Sequence, residues 1–209
     1  MLLGIFCLRE FGGQGIVFFY TVYLFEATKS SIDPFTCTLI VGITRLVFTC
    51  TAALIIDRVG RKFLLLSTVI TCALTLSTAA ASMMITSENS FSSWISLVSV
   101  LLFVAAYGIG VGPVPWILLG ELLPSPIRSL GASIITTWFS VIVFGVSNIF
   151  PNLMTVIGYE GGFIIFAICN MILAFIVWKW LPETQGQSLL LLEAAFSKDE
   201  PQSKDKSSC

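Results

Sequence analysis

Residues 36–85 read TCTLIVGITRLVFTCTAALII, then DRVGRK, then FLLLSTVITCALTLSTAAASMMI. Each apolar run exceeds the about 20 residues that carry a helix across the hydrocarbon of a bilayer. The six residues between them, Asp57 to Lys62, hold four charges and a glycine, the pattern of a short turn at a membrane surface. Working outward, the same alternation repeats: apolar stretches run from Leu2 to Phe25, Trp94 to Gly120, Leu130 to Met154 and Gly161 to Trp178, giving six candidate spans in all. The connections between them are short. Across the 209 residues, 56% are hydrophobic and only 11% charged, with a mean hydropathy of +0.95. Soluble domains carry roughly a quarter charged residues, so a soluble globule is excluded. The expectation is an all-α, polytopic membrane protein with six transmembrane helices over residues 1–181, followed by a polar cytoplasmic tail over 182–209.

Charge placement sets the orientation. If the loop after the second span, the loop after the fourth and the tail are cytoplasmic, that side holds Arg58, Arg61, Lys62, Arg128, Lys179, Lys198, Lys204 and Lys206, while the other side holds only Lys29. Such asymmetry is the positive-inside pattern. An even number of spans puts both termini in the cytoplasm, and the plasma membrane is the expected location. Eleven basic against twelve acidic residues leave a net charge of -1, with no surplus to neutralise phosphates, which argues against a nucleic-acid partner. There is no histidine, so zinc sites and histidine-based catalysis are not expected, and neither a cofactor nor a metal is. The six cysteines show no Cys-x-x-Cys spacing, and at least four fall in apolar stretches, where Cys behaves as a small hydrophobe. No carboxylate pair is placed for intramembrane catalysis, and an enzyme is not expected.

Three charges fall at membrane depth. Arg45 is ten residues from Phe35 and twelve from Asp57, roughly 15 to 18 Å from either end of its span. A mid-membrane Arg costs about 2.5 to 3.5 kcal/mol on insertion scales and needs protein or water around it. Arg9 and Glu10 in the first span make the same demand. As helical neighbours they point about 100° apart, so an expected arrangement is Glu10 paired with Arg45 across two spans. The alternative has Arg9 and Glu10 snorkelling to a nearby surface. Glycines crowd the first span (Gly4, Gly12, Gly13, Gly15), and Gly108, Gly110, Gly112, Pro113 and Pro115 crowd the fourth. Close helix packing accounts for such residues, and so does backbone interrupted beside an aqueous cavity.

Three motifs carry a resemblance. The loop Asp57-Arg58-Val59-Gly60-Arg61-Lys62 resembles the D/E-R-x-G-R-R/K loop of the major facilitator superfamily. Gly112-Pro113-Val114-Pro115-Trp116, running on through Gly120-Glu121 to Pro124 and Arg128, is similar to the G-P-x-P-W and G-E-x-x-P-x-x-x-R of its sugar porter branch. Pro182-Glu183-Thr184-Gln185-Gly186 is similar to the closing P-E-T-Q/K-G. Within that branch the chain looks like the insect facilitated trehalose transporters. The resemblance implies the C-terminal half of the major facilitator fold, spans seven to twelve of twelve. It also implies transport of a sugar or related small solute by alternating access. The missing half would be an N-terminal six-span partner or, as the alternative, a second copy. Because Met1 opens almost directly into a span, a truncated or incompletely predicted chain is the simpler expectation.

The resemblance further implies a cytoplasmic gating network of Asp57, Arg58, Gly60, Arg61, Glu121, Arg128 and Glu183. For the substrate cavity the candidates are Arg9, Glu10, Gln14, Gly15, Arg45 and Trp116. Here the chain departs from its branch. Where the family has Q-Q-x-S/T-G-x-N, the sequence has Arg9-Glu10-Phe11-Gly12-Gly13-Gln14-Gly15. Arg45 replaces an amide, and Phe139-Ser140 replaces an Asn-Trp pair. Amides that donate and accept suit a neutral polyol, so their loss points either to a different solute, with Arg9 and Arg45 suited to an anionic group, or to a transport-inactive membrane protein acting as sensor or partner.

Overall fold

The computed structural model describes residues 2–19, 34–84, 90–123 and 127–181, and the described residues are helical almost throughout. Lipid offers no partner for backbone N–H and C=O groups, so an apolar chain satisfies them within helices. Helix α1 (Leu2–Phe11) and helix α2 (Gln14–Phe19) are separated by Gly12 and Gly13. Helices α3 (Pro34–Val59) and α4 (Arg61–Met84) meet at Gly60. Helix α5 (Ser90–Ala106) widens into a π turn, Tyr107–Val111, and continues as α6 (Val114–Leu122). Helix α7 runs from Arg128 to Trp180. Four stretches are long and apolar enough to cross a membrane: Phe35–Ile56, Arg61–Met84, Trp94–Leu122 and Arg128–Trp180.

The fourth stretch is 53 residues long, about 80 Å if straight, which no bilayer core of about 30 Å accommodates. It is in fact a hairpin. Gly158 has φ 78° and ψ 169°, a conformation open essentially to glycine alone. Phe150 and Phe166 stack with centroids 6.0 Å apart, whereas sixteen residues of straight helix would separate them by about 24 Å. The short connection expected between the spans ending at Met154 and starting at Gly161 is therefore a single-residue break at Gly158, with helix resuming at once. The apolar stretch of the fourth span starts at the expected Trp94, while its helix begins four residues earlier at Ser90, so part of the polar connection before it is recruited into the helix. Glu183 and the rest of the tail lie outside the described residues.

Helix α4 is the scaffold. Leu65, Val69, Cys72, Leu76 and Ala79 form one buried face at helical spacing. Hydroxyls tie it to α5: Ser82 Oγ to Ser96 Oγ at 2.6 Å and Thr78 Oγ1 to Ser99 Oγ at 3.1 Å. Such small polar residues let two backbones approach closely in lipid. At the other end of this seam Gly110 lies against Thr68, leaving no room for a Cβ. The core continues through Phe103, Val111, Val114 and Leu118 to the α7 residues Phe163, Phe166 and Leu173.

Candidate functional site

The break in the first span has a local cause and a distant support. Gly13 has φ 83°, and its bare Cα faces the ring of Phe166 so closely that any Cβ would overlap it. Gly12 N–H still donates to Leu8 O at 2.9 Å. Its carbonyl accepts instead from Asn170 Nδ2, at 3.0 Å, and the same amide donates to Phe166 O at 2.9 Å. Asn170 is fully buried, at 0% exposure. A polar side chain on α7 thus completes a hydrogen-bond ladder that the glycines on α1 leave open.

The fourth span is irregular for a different reason. Pro113 and Pro115 lack the N–H that continues an α-helix, and each ring crowds the carbonyl four residues earlier. The chain answers with i→i+5 bonding, Gly112 N–H to Tyr107 O at 2.8 Å, a turn type found often at functional sites. The π turn begins with Tyr107, which brings that side chain to Arg9.

Arg9 is 3% exposed. Its Nη2 donates to Tyr107 Oη at 2.6 Å and its Nε to Gln14 Oε1 at 3.2 Å. Its Cζ lies 5.5 to 6.0 Å from the centroids of Phe6, Tyr107, Trp116 and Phe139. Edge-to-face packing holds these rings: Phe6 with Trp116 at 4.9 Å and Trp116 with Phe139 at 5.3 Å. Negative ring faces and two neutral dipoles therefore carry the guanidinium at depth. The carboxylate of Glu10 lies 3.7 Å from Arg9 Nε, beyond hydrogen-bond length. The Cζ of Arg45 comes within 5.4 Å of the Tyr107 ring.

Of the six cavity candidates, Arg9, Glu10, Gln14 and Trp116 come together directly, Arg45 joins through Tyr107, and Gly15 follows Gln14 on α2. The expected Glu10–Arg45 ion pair is corrected: Glu10 meets its sequence neighbour Arg9. The helix ends two residues further on, and Arg9 turns toward Gln14, so the 100° separation of an uninterrupted helix no longer keeps the two apart. Phe6, Tyr107, Phe139 and Asn170 were missed. Phe6 was legible as the residue one turn before Arg9 on the same face. From the sequence, Phe139 reads only as the replacement of an amide.

At the helix ends, Arg61 Nη2 and Glu121 Oε1 form an ion pair at 3.1 Å, joining the start of α4 to the end of α6. Arg128 Nε donates to Leu123 O at 3.3 Å. Gly60, with φ 92°, permits the abrupt reversal between α3 and α4. Arg58 is exposed. The side chain of Asp57, like Glu183, lies outside the described residues. Elsewhere, a groove of about 520 Å³ lies between α4 and the second arm of α7, lined by groups such as Ala80, Met84, Ile164, Ile168 and Phe175. Its walls are almost wholly apolar and offer a polar solute little.

Comparison with known proteins finds relatives over most of the chain. Residues 1–196 match the family model described as Sugar (and other) transporter. The chain is 37% identical over 191 residues to the facilitated trehalose transporter Tret1 of Culex quinquefasciatus, covering 90% of this chain and 37% of that one. It is also 37% identical over 194 residues to Tret1 of Polypedilum vanderplanki, covering 91% and 38%. Among solved structures it resembles the proton:xylose symporter XylE bound to 6-bromo-6-deoxy-D-glucose, with a TM-score of 0.79 and 29% identity over 93% of this chain and 41% of that one. The inward open conformation of XylE from E. coli aligns with the same TM-score at 27% identity over 93% and 40%. The chain thus spans about two-fifths of the length of these relatives. An all-α, multi-pass membrane chain whose two irregular spans converge on a buried polar cluster, it belongs to the sugar transporter family of the major facilitator superfamily.

Proposed function

We propose that the chain is the six-crossing C-terminal half of a sugar porter and moves a sugar or related small solute by alternating access. Residues 1–181 form the membrane unit and 182–209 a cytoplasmic tail, with both termini cytoplasmic and the plasma membrane as its site. The observation that carries this reading is the convergence of the glycine break in the first span and the π turn in the fourth on Arg9, Gln14, Tyr107 and Trp116. Irregular backbone at membrane depth is tolerated where it is buried in protein or borders a cavity. A solute held there would meet hydrogen-bonding groups of both spans and the face of Trp116. The Arg61–Glu121 pair closes one end of the bundle, and with Arg58, Arg128, Asp57 and Glu183 it forms a latch that biases the inward and outward states. The partner is an N-terminal six-span half or a second copy. The exposed apolar side chains of α3, among them Leu39, Ile43, Leu46 and Leu54, supply a face for that partner or for lipid.

Vesicles containing the chain, alone and together with the N-terminal six-span segment of a trehalose transporter, test the proposal through uptake of labelled sugars. Saturable uptake that requires the second segment is expected. Absence of uptake in both preparations, with insertion verified, overturns it.

A further inference from the structure

The hydrogen bonding around Arg9 is incomplete in one direction only. Its Nη2 and Nε are engaged, but Nη1 is buried without a hydrogen-bond partner, and so is Nε2 of the Gln14 amide whose oxygen Arg9 holds. Arg9 and Gln14 are 3% and 4% exposed. Buried donors left unmet are uncommon in folded proteins and costly, more so on a charged group. Both orphans belong to one bonded pair, and both lack an acceptor.

The walls do not supply one. Phe6, Trp116 and Phe139 carry no oxygen acceptor in their side chains, and the Tyr107 hydroxyl already receives the Nη2 hydrogen. Glu10 lies nearest to Nε, the nitrogen that Gln14 already serves, at 3.7 Å. A neutral sugar presents hydroxyls that both donate and accept, whereas the two unmet groups here only donate. A carboxylate only accepts, through two oxygens, and planar guanidinium and amide donors are its usual counterparts. A second guanidinium, that of Arg45, lies with its Cζ 5.4 Å from the centroid of the same Tyr107 ring. Trp116, at 37% exposure, stands at the accessible edge of the ring cluster and offers a face on which a sugar ring stacks.

We infer that Arg9 Nη1 and Gln14 Nε2 form a carboxylate receptor, so that the solute this site takes is an acidic sugar, a carbohydrate bearing one carboxylate. The inference rests on the porter reading above and narrows its substrate class. Equilibrium binding of labelled glucuronate tests it, with glucose and acetate as competitors and the chain in lipid nanodiscs, alone and with the N-terminal segment used for uptake. Glucuronate is expected to bind at least about tenfold tighter than either competitor, a difference of about 1.4 kcal/mol. Arg9→Gln should bring glucuronate and glucose within about threefold. Gln14→Glu, which places a fixed carboxylate beside the Arg9 fork, should weaken glucuronate about tenfold or more, and it keeps the test decisive if Arg9→Gln fails to fold. Glucose binding as tightly as glucuronate overturns the acidic class and leaves the porter reading standing. Acetate competing as well as glucuronate overturns sugar recognition at the site. Failure of all three to bind in either preparation, with normal insertion and melting, overturns the porter reading and the inference together.

Discussion

Arg9 and Arg61 each lie near a glutamate, in settings that differ in every other respect. Arg61 and Glu121 join two helix ends at 3.1 Å with side chains 15% and 26% exposed, an ion pair at hydrogen-bond distance. Arg9 lies 3.7 Å from Glu10 with both almost wholly buried, and a tyrosine hydroxyl, an amide oxygen and four rings hold it. The difference follows from solvation. A partly exposed pair gives a modest net gain, so it breaks and re-forms at little cost, as a latch must. A cation taken out of water loses several kcal/mol of hydration and needs many fixed dipoles and ring faces in its place. Held by several fixed groups, the inner site is expected to keep its geometry, and in the proposed latch the outer pair is the one that switches.

That contrast orders the consequences of mutation. Gly13→Val attacks the inner site at its foundation, adding a side chain where φ is 83° and where Phe166 already stands. Backbone strain and overpacking together should cost about 4 kcal/mol, read as loss of the folded fraction in detergent denaturation. Tyr107→Phe removes the 2.6 Å partner of a buried guanidinium, an expected loss of about 2 to 3 kcal/mol by the same assay. Asn170→Ala strips the Gly12 carbonyl of its donor, with a smaller expected loss of about 1 to 2 kcal/mol. Glu121→Gln should change stability by less than about 1 kcal/mol, yet it should shift cysteine accessibility between the two membrane faces. If Tyr107→Phe proves no more costly than Glu121→Gln, the distinction between a fixed inner site and a mobile outer latch fails. If Glu121→Gln leaves labelling on both faces unchanged, the latch alone is lost.

A double-mutant cycle sharpens the outer half of the comparison. Arg61→Gln combined with Glu121→Gln should reveal a coupling below about 1 kcal/mol. A larger value would make the helix-end pair a structural fixture like the inner site.

The amino-acid sequence by itself determined that the chain is helical and membrane-borne. Long apolar runs have one stable outcome in lipid, since every backbone group must find its partner within its own helix. It also located both irregular spans through Gly12 and Gly13 in one and Pro113 and Pro115 in the other, because proline and glycine alter the backbone wherever they stand. The helix-end ion pair was legible in part, through the charged motifs at span ends. Only the tertiary structure decided what surrounds the buried charges. Arg9 and Glu10 read as charges seeking remote opposites, with Arg45 as the expected partner of Glu10. Yet the ladder of α1 stops at Gly12, Asn170 from a distant helix pins that break, and the π turn delivers Tyr107 from nearly a hundred positions away in sequence. The spacing of residues along one helix fixes what shares its face; it carries no record of which aromatic ring another helix will press against it.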